Sequence, residues 1–82
     1  MISVNVKFFA LARDIAGKED SVLSIPDEST ASAVLQILCN TYPRLNELRD
    51  HIRLAVNWEY VSADQILHEK DEIAVIPPVS GG

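Results

Sequence analysis

Apolar and polar residues alternate strictly at the start of the chain, with Ile2, Val4, Val6 and Phe8 separated by Ser3, Asn5 and Lys7. That period of two predicts a strand with one buried face. The polar, glycine-containing stretch Arg13 to Asp20 breaks the pattern. Ser21 to Ile25, with Leu23 and Ile25 in phase, predicts a second strand stopped by Pro26, so a hairpin with a long loop is expected. Ser29 or Thr30 suits a helix N-cap, and Val34, Leu35, Leu38 and Tyr42 then fall on one helical face until Pro43 ends it. Arg44 to Asp50 has room for a further short turn of helix. Ile52, Leu54 and Val56 alternate again as a third strand, and Asn57 begins a turn. Tyr60 to Leu67 reads as short extended pieces around Val61 and around Ile66 and Leu67, followed by the charged turn His68-Glu69-Lys70-Asp71. Glu72 to Ile76 is the last strand, with Ile73 and Val75 on one face and Ala74 and Ile76 on the other, before Pro77-Pro78.

This order predicts an α+β fold, a mixed sheet with one main helix on one face. A hairpin, a crossover helix and a returning strand pair suit the ubiquitin-like β-grasp, although a ferredoxin-like half shares the same element pattern. The body is expected to span 1–76, with a flexible tail over 77–82. In a β-grasp the first and last strands are neighbours. If Val6 and Phe8 face the helix, Phe9 turns outward, and Ile76 does so by the same parity. With Tyr60 they would form an apolar patch beside the tail, a candidate partner-docking surface.

Length and charge narrow the function classes. At 82 residues the chain forms one domain, and a domain this small leaves little room for an enclosed catalytic pocket. Seven Lys and Arg against 12 Asp and Glu give a net charge of -5, which opposes nucleic-acid and anionic-membrane binding and favours basic partners. The single Cys39 cannot form an internal disulfide and lacks an activating histidine at close spacing, so it reads as a structural thiol in a reducing compartment. The N-terminus has no basic segment followed by an apolar run, so a soluble, cytosolic protein unprocessed at its start is expected. His51 and His68 lie in separate elements without metal-ligand spacing, and no metal site is expected. No glycine-rich phosphate loop is present, so the chain should not bind ATP by itself. Arg13 could meet an acidic partner group, but an exposed arginine in a polar loop is usually unspecific. Trp58, next to the Asn57 turn, could be partly exposed and serve binding, but an aromatic packed on its turn is the commoner outcome.

The chain ends Pro77-Pro78-Val79-Ser80-Gly81-Gly82. With Gly at about 7% of residues, a terminal pair falls by chance in roughly 0.5% of chains. Two prolines stop the strand ladder and favour an extended course away from the sheet. Residues without Cβ can thread a narrow channel, and the Gly82 carbonyl carbon is unhindered. A carboxylate needs activation before it reacts. Attack on the α-phosphate of ATP gives an acyl-adenylate that a sulfur or nitrogen nucleophile can take.

Val6-Lys7-Phe8-Phe9-Ala10, Ala55-Val56-Asn57 with Glu59-Tyr60-Val61, and the run Asp71-Glu72-Ile73-Ala74-Val75-Ile76 into the tail resemble the small subunit of molybdopterin synthase, the MoaD-type sulfur carrier. Lys70 departs from that family, which commonly has glycine before the Asp-Glu pair. The resemblance implies that an E1-like enzyme, consuming ATP, adenylates Gly82 and that sulfur transfer leaves a C-terminal thiocarboxylate. The tail, Pro77 to Gly81 with Gly82, would enter the larger catalytic subunit of a heterotetramer of two small and two large subunits. There the sulfur would pass to cyclic pyranopterin monophosphate, making molybdopterin for the molybdenum cofactor. The carrier would be non-catalytic and hold no stable cofactor. Glu69, Asp71 and Glu72, placed near the base of the tail, would complement a basic partner pocket, although singly each reads as part of a solvated turn. The alternatives are a sulfur carrier for thiamine synthesis or tRNA thiolation, a modifier conjugated to lysines, and a passive interaction domain.

Overall fold

A computed structural model describes residues 1–78. Strand β1 (Ile2–Phe8) and strand β2 (Asp20–Ile25) pair antiparallel, with Val4 opposite Leu23 and Asn5 opposite Val22. The long loop expected between them is instead a helix, α1 (Ala10–Ala16). Its only buried residue is Ala12, and Gly17 closes it in the left-handed region at φ 74°, donating its N–H to the Arg13 carbonyl. Seven residues are too few to be stable alone, so packing rather than propensity makes this helix.

Helix α2 (Ala31–Thr41) starts as expected: the Thr30 side chain accepts the Ala33 N–H at 3.2 Å. Pro43 does not simply end it but opens a short helix α3 (Pro43–Asn46), followed by a 3₁₀ turn at Arg49–His51. Strand β3 (Arg53–Val56) turns through Asn57 and Trp58 into the two-residue strand β4 (Glu59–Tyr60). Both turn residues have positive φ, 51° and 72°, the geometry of a tight type I′ hairpin. Of the extended pieces expected after Tyr60, Val61 donates to the Leu54 carbonyl and Ile66 forms an isolated bridge with Thr30. Strand β5 (Glu72–Ile76) returns through the middle of the sheet.

The strand order is β2-β1-β5-β3-β4, with β1 and β5 parallel and the other pairs antiparallel. This is the β-grasp. Val4, Val6, Phe8, Ile73, Val75, Leu54 and Val56 face a core that α2 closes with Ala31, Val34, Leu38 and Cys39. Phe8 meets Tyr42 edge to face, the ring centroids 5.8 Å apart. Among the described residues no helix is long and apolar enough to cross a membrane.

Candidate functional site

The ladder fixes which end of the sheet carries the tail. Phe8 lies opposite Val75, and Phe9 extends the parallel pairing by donating its N–H to the Val75 carbonyl at 3.3 Å. Phe9 is still extended (φ -117°, ψ 148°), and Ala10, at φ 50°, breaks the strand immediately afterwards. Phe8 therefore points into the core and Phe9 onto the open face, as parity predicts. Ile76 lies beyond Val75 on the same face, opposite Arg53 of β3. Pro77 is buried and Pro78 exposed. The remaining expectations for the tail fall on Val79–Gly82, which lie outside the described residues.

Phe9, Tyr60 and Ile76 line one groove of about 350 Å³, together with Ala55, Trp58 and Ala74. Ala55 and Ala74 are directly paired on β3 and β5 and form a floor without bulk. The larger apolar side chains stand around it as walls. Tyr60 is held upright by Arg53, whose guanidinium carbon lies 4.4 Å from the ring centroid. The open face is divided: its β1–β2 half carries Asn5, Lys7 and Ser24 with one exposed Val22, whereas the β5–β3–β4 half carries the apolar groove, flanked by Arg53 and Glu72. A hollow of about 370 Å³ between α2 and the β3–β4 edge is lined by Ser32, Arg49, Asp50 and Ser62 among others, and of the predicted patch it includes Tyr60 alone.

Two expectations are corrected. Trp58 does not pack into its turn but stands 74% exposed over the open face, its ring 5.6 Å from the Lys7 ammonium. The signal lay in its position directly after Asn57, where a type I′ turn projects its second residue. Glu69, Asp71 and Glu72 are not at the base of the tail: Glu69 and Asp71 precede β5 and Glu72 opens it, whereas Pro77 follows it, and the six residue steps of extended chain from Asp71 to Pro77 span about 20 Å. The turn itself is solvated, with His68, Glu69 and Lys70 exposed, and its acids are tied to neighbouring groups. Glu69 accepts the Ser3 N–H at 2.9 Å. Asp71 accepts the Asn57 side-chain amide at 2.9 Å and the His68 N–H at 2.7 Å, and Glu72 lies 3.4 Å from Lys7. Lys70 takes the left-handed φ of 69°, which is the physical reason glycine would suit that position.

The other candidates stay apart from the groove. Arg13 faces Glu19 at 3.8 Å, both exposed. Cys39 is buried, and burial pushes its thiol pKa up despite the opposing charge of Arg49. His68 lies 3.8 Å from Asp71, and among the described residues no three His, Cys, Asp or Glu side chains gather as a metal site would require.

The sequence matches the model of the ThiS family over residues 6–82. It is 40% identical over 81 residues to the molybdopterin synthase sulfur carrier subunit of Arabidopsis thaliana, covering 99% of this chain and 84% of that one. The fold superposes with a TM-score of 0.88 on a Pyrococcus furiosus protein provisionally described as a molybdopterin converting factor subunit 1, at 28% identity over 96% of this chain and all of the other. It superposes with a TM-score of 0.84 on the small archaeal modifier protein 1 of Methanosarcina acetivorans, at 29% identity over all of this chain and 98% of that one.

Proposed function

The chain belongs to the ThiS family, and from that premise we propose that it is the sulfur carrier subunit of a molybdopterin synthase. An E1-like enzyme adenylates Gly82: a carboxylate oxygen attacks the α-phosphate of ATP and pyrophosphate leaves. Sulfide-level sulfur then displaces AMP to leave the thiocarboxylate, whose sulfur attacks a carbon of cyclic pyranopterin monophosphate; hydrolysis of the thioester so formed leaves the sulfur on the pterin and returns the Gly82 carboxylate. Sulfur is the better donor atom because it holds the negative charge in a soft, weakly hydrated form. The carrier is non-catalytic, acts in the cytosol, and binds no metal or stable cofactor of its own. It docks through Phe9, Tyr60 and Ile76 and inserts Pro77 to Gly82 into the large subunit, within a heterotetramer of two small and two large subunits.

The observation that carries this reading is the likeness along nearly the whole chain to relatives named for that role. The groove gives it a physical basis, because an apolar wall stands at the strand end from which the diglycine tail departs. A net charge of -5 suits a partner made basic to hold a phosphorylated pterin. The test is the intact mass after incubation with ATP, the activating enzyme and a sulfur source. Exchange of one oxygen for sulfur, mapped to Gly82, is expected. No change under conditions that thiolate an established carrier would refute the reading.

The likeness to small archaeal modifier protein 1 favours a second reading, in which the same adenylate ends in an isopeptide bond to a lysine. Covalent adducts on other proteins, dependent on Gly82, would establish it.

A further inference from the structure

Trp58 is not explained by the fold that carries it. The protein's single tryptophan, it stands 74% exposed at the second position of a type I′ turn, with φ 72°. Glycine is strongly favoured there, because a Cβ is disfavoured in the left-handed region. The strained turn is nevertheless firmly clamped. Asn57 donates its N–H to the Glu72 carbonyl at 2.8 Å, Glu72 donates its N–H to Asn57 Oδ1 at 3.0 Å, and the Asn57 amide reaches Asp71 at 2.9 Å. Lys7, itself 3.4 Å from Glu72, sits by the indole ring. A large aromatic side chain held preformed in water loses little freedom on docking, and such residues dominate interface energies.

The tail restricts what can cover this residue. Val79–Gly82 add four residues to Pro78, at most about 14 Å of extended chain. Any protein that takes Gly82 into a reactive site therefore lies close against the tail end of β5, and its flank covers Ile76 and Phe9, which share the groove with Trp58. The same groove is the docking surface assigned above to the large subunit, and Trp58 extends that surface.

We infer that Trp58 is a docking anchor for the large subunit, which seats an apolar side chain on the Ala55–Ala74 floor against the indole. This rests on the sulfur carrier reading given above. The test compares wild type, Trp58→Gly and Trp58→Phe by calorimetric titration against the purified large subunit, with thermal midpoints of the free chains. Trp58→Gly is expected to bind at least tenfold more weakly while melting higher, because Asn-Gly suits the turn; Trp58→Phe should recover most of the affinity. Trp58→Gln serves the same comparison if the glycine variant fails to fold. Wild-type affinity in both the Gly and Gln variants would overturn the inference. So would self-association of the free wild type that Trp58→Gly abolishes, because the indole would then seat a second copy of this chain. A wild-type chain that binds no large subunit would instead overturn the functional reading itself, an outcome distinct from an unaffected variant.

Discussion

Asn57 joins the β3–β4 turn to the start of β5 by both side-chain and backbone bonds, so its replacement separates two energies. Asn57→Ala removes the amide bond to Asp71 and the acceptor for the Glu72 N–H. At an exposed site each is worth about 0.5–1 kcal/mol net, because water replaces part of what is lost. Alanine must also hold φ 51°, which asparagine tolerates and alanine does not, adding about 1 kcal/mol. The expected loss is about 2–3 kcal/mol, or a fall in melting temperature on the order of 10–20 °C for a domain of this size. Asn57→Gly loses the same two bonds but has no Cβ to strain, so it should lose about 1 kcal/mol less, reduced by the greater freedom of glycine in the unfolded chain. Urea titration of both variants at constant m-value gives the comparison. An Asn57→Ala chain more stable than Asn57→Gly by about 0.5 kcal/mol or more, glycine's unfolded-state cost with no strain to offset it, would refute the backbone contribution. A loss below about 0.5 kcal/mol in Asn57→Ala would refute the clamp as a whole.

Lys70→Gly relieves a positive φ of 69° and should raise stability by up to about 1 kcal/mol in the same titration, with no effect on partner binding. Because burial raises the Cys39 pKa in the folded chain, the unfolded thiol ionises first as pH rises. Stability should thus be fully present below the ordinary thiol value of the unfolded chain, fall as pH climbs from there through the raised folded value, and flatten over that window in Cys39→Ala. Thiol-reactive dye should label native Cys39 slowly at neutral pH and rapidly in denaturant. Deleting Gly81 and Gly82 should leave the melting temperature and the partner complex intact while abolishing sulfur transfer in a reconstituted assay; residual molybdopterin synthesis would contradict the tail chemistry.

The alternation in Ile2 to Phe8, Leu23 to Ile25 and Glu72 to Ile76 determined three strands and their buried faces, because a period of two is a local property of extended chain. The same parity set Phe9 and Ile76 outward, and Thr30 with the spacing of Val34 and Leu38 marked α2. The diglycine ending was legible without any structure. The fold decided what depends on neighbours distant in sequence. Helix α1 was missed because its seven residues owe their stability to packing, although Gly17 following Ala12, Ile15 and Ala16 at helical spacing was a usable signal. The acids before β5 looked close to the tail because sequence distance is short there, yet an extended strand turns six residues into about 20 Å. Only the pairing of Ala55 with Ala74 makes a groove of the open face, and only the hydrogen bonds from Asn57 to the start of β5 hold Trp58 over it. Side-chain periodicity records which face a residue takes, while the neighbour it meets there is set by strand register, and register is a property of the assembled sheet.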